Sequence, residues 1–168
     1  MNIFVVSTST AECARMYCDI HVNKMLTETV QLLSTAHHVL DGLQVGMKPT
    51  HANHPCAVWV RESISNYQWA YSLAVSLANE YSFRTGKIHK SSLRLDLLKH
   101  PPLHIKCGDM TDFAVAMPDE FKQYALINGV IGAYRKLLNH KYHDWTHRVD
   151  KKRLSVKWTK REKPYWVL

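Results

Sequence analysis

Apolar positions along this chain recur mostly at three- and four-residue steps, the spacing of an amphipathic helix. The exception comes first: residues 2–6 are a short apolar run without helical spacing, read as a strand or a buried leader. Ser7, Thr8, Ser9 and Thr10 then offer N-caps for a helix starting near Ala11. From Asn23 to Leu40 the period is clear: Leu26, Val30, Leu33, Ala36 and Leu40 form one stripe, and Asp41-Gly42 ends it. Gly46, Pro49 and Pro55 mark an irregular connection. A second long helix is expected from about Ser65 to Arg84, with Tyr67, Ala70, Ala74, Leu77 and Tyr81 inward and Gly86 as its stop. A shorter one near Ser91–Lys99 ends before Pro101-Pro102, and 101–117 reads as a loop. Pro118-Asp119-Glu120 opens a last helix, with proline in the first turn and acids at the positive end of the dipole. Phe121, Tyr124, Ile127, Ile131, Tyr134 and Leu138 carry it onward. The expected fold is mainly α: one compact domain of three to five helices over 1–168. Its helical core spans 1–140, and a basic, aromatic segment, 141–168, packs on it.

Size agrees with one domain, because 168 residues leave little room for two. With 46% hydrophobic and 21% charged residues the chain can bury a real core. Its apolar runs fall far short of the roughly 18–20 residues of a membrane span. The start, Met-Asn-Ile-Phe-Val-Val-Ser, lacks a basic leader followed by an apolar stretch, so no signal peptide is expected. Cys13, Cys18, Cys56 and Cys107 are too few and scattered for a disulfide scaffold, which points to reduced thiols in the cytoplasm.

Charge sharpens the picture. The formal net charge is +8, and half of the 22 Lys and Arg lie between Arg135 and Leu168, against Asp144, Asp150 and Glu162. Trp145, Trp158, Tyr165 and Trp166 are interleaved with them. Cations release counterions from phosphates and rings offer stacking surfaces, so this stretch suits a nucleic acid; the plainer alternative is a solvated tail docked by its aromatics.

Opposite the apolar stripe of the first long helix runs a polar one: His21, Lys24, Glu28, Gln31, Thr35 and His38. It is either a wet face or a groove bringing an imidazole, an ammonium and a carboxylate to one line for acid–base work. His51, His54 and Cys56, with Cys18-x-x-His21 upstream, could supply soft metal ligands, but their spacing matches no structural zinc site. Asn53-His54-Pro55 reads better as a turn that presents polar groups or caps a helix. Arg61 and Asn66 could contact phosphate or base, Trp59 and Trp69 suit a core, and Lys87, Lys90, Arg94 and Lys99 add a basic face. No phosphate-binding glycine loop, nucleophile elbow or His-Glu-x-x-His motif is present.

Four segments together resemble a known family. They are the apolar leader running into a polar-faced helix; Asn53-His54-Pro55 through Arg61 to Glu80-Tyr81-Ser82-Phe83-Arg84-Thr85-Gly86-Lys87-Ile88; Met117-Pro118-Asp119-Glu120-Phe121-Lys122; and Lys160-Arg161-Glu162-Lys163-Pro164-Tyr165-Trp166. In this order they resemble the small all-α pyrimidine-dimer DNA glycosylase/AP lyases of phages and their bacterial relatives. The resemblance implies one compact α domain straddling duplex DNA. It also implies an N-terminal amine that attacks C1′ of a damaged nucleotide, with a first-helix glutamate helping. An α-amine titrates near pH 8, roughly two units below lysine, so more of it is nucleophilic at neutrality.

Two departures matter. The family's nucleophile is usually a small residue exposed by removing Met, whereas Asn2 follows Met1 here, so Met1 itself would supply the amine. Counting from the leader puts His21 near the family's glutamate, with Glu28 two turns further on, about 10 Å along a helix. Either could fill the role.

The first expectation is therefore a DNA-acting N-glycosylase/AP lyase of a bacterial or phage-infected cytoplasm. Met1 would be the nucleophile and Glu28 the carboxylate, with His21 and Lys24 binding phosphate or moving protons. His54, Arg61, Asn66, Lys87, Lys90, Arg161 and Lys163 would hold the nucleic acid, with Trp158 and Trp166 near the strand. Duplex DNA is the expected partner, with no membrane, no cofactor, no metal, and a monomer or weak homodimer. One alternative is a nucleobase- or nucleotide-modifying enzyme using His21, Lys24 and Glu28 without the terminal amine. The other is a non-catalytic basic protein that binds DNA or RNA.

Overall fold

The computed structural model describes residues 1–168 and is all-helical. Five α-helices, α1 (Thr10–Met16), α2 (Asp19–Asp41), α3 (Pro55–Val60), α4 (Ile64–Thr85) and α5 (Asp119–His147), are joined by one 3-10 segment, Lys90–Leu98. No helix is long and apolar enough to cross a membrane. Local signals set most boundaries. Ser9 Oγ accepts the Glu12 N–H at the start of α1, Ser63 Oγ accepts the Asn66 N–H at the start of α4, and α2 and α4 stop at Gly42 and Gly86.

Helices α2 and α4 form the centre, with α1 on α4, α3 on α2, and the 3-10 segment across both long helices. The α2 stripe of Leu26, Val30, Leu33 and Ala36 is fully buried, as are Tyr67, Ala70, Ala74 and Leu77 of α4. Of the two readings of Asn53-His54-Pro55, the cap is the one seen: the short helix α3 starts with Pro55 in the first turn and His54 Nδ1 accepting the Cys56 N–H.

The apolar run at the start is a leader and not a strand. Ile3, Phe4, Val5 and Val6 are at most 6% exposed and thread the core without a pairing partner. Unpaired backbone at such depth must find other partners. Tyr17 Oη donates to the Phe4 carbonyl, and the Arg135 guanidinium donates twice to the Val6 carbonyl, at 3.0 and 2.8 Å.

The largest departure from expectation is in α5. Its apolar spacing reads as one straight helix, but the chain reverses at Gly129, with φ 73° and ψ 162°. A residue with a Cβ rarely adopts that φ, so glycine is what permits the turn. The arms 119–128 and 130–147 fold back on each other. The Phe121 and His140 rings lie 5.8 Å apart, and Lys136 Nζ sits 4.1 Å over the Tyr124 ring. A straight helix would separate Tyr124 and Lys136 by about 18 Å. Phe121, Tyr134 and Leu138 still face the core, whereas Ile127 is exposed.

The second arm continues unbroken past residue 140 to His147, so 148–168 is the stretch without helix. It lies against α1, α2 and α4. The Asp19 N–H donates to the Lys157 carbonyl, the Trp158 indole to the Met16 carbonyl, and Arg161 reaches Glu80.

Candidate active site at the chain start

The leader delivers Met1 to the third turn of α2. Its amine nitrogen stands 3.9 Å from Glu28 Oε1, and the Met1 side chain is 3% exposed. Glu28 Oε2 accepts the Asn2 backbone N–H at 2.8 Å, which fixes the carboxylate. Lys24, one turn earlier on α2, brings Nζ to 3.6 Å from Oε1. One carboxylate oxygen therefore faces two amines. Glu28 is 13% exposed and Lys24 59%, so the approach from solvent lies on the lysine side.

Asn2 is the clamp that sets this geometry. Its Nδ2 donates to the Ala116 carbonyl at 2.7 Å, and its Oδ1 accepts from the Ile3 N–H and the Cys56 thiol. The Tyr134 hydroxyl is 3.5 Å from the same oxygen and donates to the Ala114 carbonyl. A small residue could not hold those partners. Sequence reasoning missed this role because Asn2 reads as the edge of an apolar run.

His54 caps α3 close by. Burial pushes its imidazole below the ordinary histidine value, the terminal ammonium and His51 add to that, and Glu28 opposes it. The ring is therefore neutral at pH 7, and because Nδ1 accepts the Cys56 N–H, its proton sits on Nε2. Burial also pushes the Cys56 thiol up to about 11, so it stays protonated.

His21 does not join the site. It is 1% exposed and boxed by Phe4, Tyr17, Tyr142 and Trp145, whose ring centroids lie 4.9–6.1 Å away. Its Nδ1 meets the Tyr142 hydroxyl at 3.2 Å. Burial, with Lys24 and Lys141 adding, lowers its pKa to about 3. The expected acid–base stripe is thus split: Glu28 and Lys24 meet the amine, and His21 belongs to the core.

Several expected nucleic-acid contacts have internal partners instead. Asn66 is fully buried; its amide donates to the Trp59 carbonyl and Thr111 Oγ1 and accepts the Thr111 N–H, so it orders the 101–117 loop. Arg61 donates to the Ala52 carbonyl at 2.6 Å and holds the turn carrying His54. Trp158 stacks edge-on against Tyr142 while its indole N–H is used by Met16, and the Trp166 indole points at Met16 Sδ. Lys87, Lys90 and Lys163 are exposed on the surface.

Arg161 is also committed. Its Nε and a terminal nitrogen donate to the two Glu80 oxygens at 2.9 and 2.8 Å. Glu80 and Arg84, 5% and 4% exposed, pair at 2.7 Å, and Arg84 reaches Asp19 at 2.9 Å. Two carboxylates and two guanidiniums balance. Burial alone would raise the Glu80 carboxyl, but the bonds from Arg161 and Arg84 outweigh it and hold it below the usual range. The signal was in the sequence: Glu80 and Arg84 continue the buried stripe of α4 at a four-residue step.

No group of three or more His, Cys, Asp or Glu side chains is placed to hold a metal ion. The chemistry available at the site is that of an amine beside a carboxylate: nucleophilic attack, proton transfer and stabilisation of a nearby positive charge. Compared with family models, with curated proteins and with solved structures, the chain has no match.

Proposed function

We propose that this protein is a DNA-acting N-glycosylase/AP lyase whose nucleophile is the Met1 α-amine. The observation that carries the reading is the juxtaposition of that amine with Glu28, at 3.9 Å, by a leader buried from Ile3 to Val6. The Asn2 bonds to Glu28 and Ala116, with the buried Met1 side chain, fix that amine beside the carboxylate. The resemblance to the pyrimidine-dimer glycosylases gives the pair a role, with Glu28 in the glutamate's place.

The steps balance with the groups at hand. The amine passes a proton to Glu28 or water, and its lone pair forms a bond to C1′. The bond from C1′ to the base breaks, and the base leaves with that electron pair and takes up a proton. The carboxylate lowers the energy of the positive sugar that develops between these events. Opening of the sugar leaves an iminium between C1′ and Met1. Loss of a C2′ proton then expels the 3′ phosphate by elimination, and water releases the enzyme. Neutral His54 is a second group for proton movement. The target must leave the stack to be reached. The alternative built on His21, Lys24 and Glu28 as a unit loses its footing, because His21 is walled off.

Borohydride trapping tests the proposal. Protein with an untagged N-terminus is incubated with abasic-site or UV-irradiated duplex DNA, reduced, and mapped by mass spectrometry. The expected result is an adduct on Met1, abolished by one extra residue ahead of it. An adduct on Lys24 would move the nucleophile to the other amine facing Glu28. DNA binding without any adduct would leave a non-catalytic binding protein.

A further inference from the structure

The polar stripe of α2 holds one side chain that the amine site leaves unused. Gln31 lies three residues after Glu28 and four before Thr35, on the same helix face. Its backbone carbonyl accepts from Thr35 Oγ1, while its half-buried carboxamide keeps a donor and an acceptor free of partners within the protein.

The stretch 50–56 runs along the same part of α2 and is pinned at both ends. The Thr50 N–H donates to Thr35 Oγ1 at 3.1 Å, and the Cys56 thiol donates to Asn2 Oδ1 at 3.3 Å. The Asn2 N–H in turn donates to Glu28. The two anchors thus span seven residues of α2, about 10 Å, and Gln31 sits between them. His54 is half-buried on this stretch. Its Nδ1 accepts the Cys56 N–H at 3.2 Å, so its Nε2 carries the proton, and that N–H has no partner within the protein. The terminal ammonium and Glu28 both act on the charge of its ring, which puts the ring near the amine.

Two donors and one acceptor therefore stand unpaired beside the amine that is to reach C1′. A base on that C1′ has left the stack, so its Watson–Crick edge has lost its partner and needs another. The edge of a pyrimidine offers two acceptors and one donor, the complement of what Gln31 and His54 supply. Guanine offers the reverse, one acceptor and two donors.

We propose that Gln31 and His54 hold the Watson–Crick edge of an extruded pyrimidine while the Met1 amine reaches its C1′. This rests on the glycosylase reading above. It gives the base, as distinct from the sugar, its own binding groups on this chain.

The test compares borohydride trapping on two duplexes. One carries a thymine–thymine cyclobutane dimer, whose base must be displaced, and the other an abasic site, which has no base to hold. Gln31→Met keeps the side-chain length and removes both polar groups. It should trap the dimer duplex about 10–100-fold more slowly than the wild type, with the same rate on the abasic duplex and the same melting temperature. His54→Asn keeps an acceptor for the Cys56 N–H but withdraws the Nε2–H, and should also slow the dimer duplex. Methylating N3 of both dimer bases removes the donor of the edge. Wild-type trapping should then fall by a similar factor, and that of Gln31→Met should fall no further. Equal trapping of the dimer duplex by wild type and Gln31→Met would overturn the proposal, as would a methyl effect of equal size in both proteins. Equal losses on both duplexes would make Gln31 a structural group and overturn it too. A wild type that traps the abasic duplex but not the dimer would overturn the base contacts and leave the amine reading intact. No adduct on either duplex would remove both proposals.

Discussion

His21 and Glu28 sit seven residues apart on the same face of α2, yet their surroundings oppose each other. Around His21 the leader, the residue that ends α1 and helix α5 contribute four aromatic rings that exclude water and hold the imidazole neutral. Two turns on, at Glu28, the packing opens. The carboxylate keeps a solvent edge, two amines and a backbone N–H. Residue type made both look like acid–base groups. What separates them is which element covers each turn: large rings cover one, and the polar chain start covers the other.

Substitution should separate the two turns sharply. The largest effect is expected from Glu28→Gln, which keeps an acceptor for the Asn2 N–H but removes the charge. Borohydride-trapped adduct should form about 10²–10⁴-fold more slowly, with a melting temperature near that of the wild type. Equal loss of stability and trapping would make Glu28 a structural group like His21. His21→Ala should do the converse. It leaves a cavity among the rings and should cost roughly 2–4 kcal/mol in urea unfolding, while the folded fraction still traps DNA at the wild-type rate.

The titration of His21 gives a third contrast. Its folded pKa of about 3 lies below the ordinary value of about 6.5, so the unfolded chain binds that proton first. Its contribution is complete above pH 6.5 and is lost as pH falls toward 3. Urea midpoints measured downward from pH 7 should fall for the wild type and fall less steeply for His21→Phe. Buried His37 and half-buried His54, also lowered, keep some slope in both proteins. Parallel curves would mean that His21 is not held neutral by its box. The smallest change is expected from Lys24→Ala. An exposed pair of this kind contributes roughly 0.5 kcal/mol, so trapping should slow about twofold. A loss as large as that of Glu28→Gln would instead make Lys24 the attacking amine.

Helix positions were largely legible because local rules decide them. The α2 stripe, the cap among Ser7–Thr10 and the stops at Gly42 and Gly86 depend on residues within a few positions of one another. The reversal in α5 was hidden because its apolar spacing continues across Gly129, and a glycine within a helical pattern does not say whether the chain will bend there. In the candidate site, Met1, Lys24 and Glu28 were nameable from residue type and from the resemblance. The choice of Glu28 over His21 was not, since a helical period assigns both to one face. Likewise, the cationic side chain of Arg161 reads as a phosphate ligand until the buried Glu80 carboxylate is placed against it.

The sequence by itself determined a mainly α chain, its helix stops at Gly42 and Gly86, most of the inward stripes and a short list of chemically capable side chains. Periodicity and capping act over three to four residues and need no knowledge of what packs where. Tertiary structure alone decided which members of that list meet. The Asn2 clamp joins positions 114 residues apart, and the Arg135 bond to the leader spans 129. Contacts at such separations depend on how whole helices pack, and local sequence carries no direct sign of them.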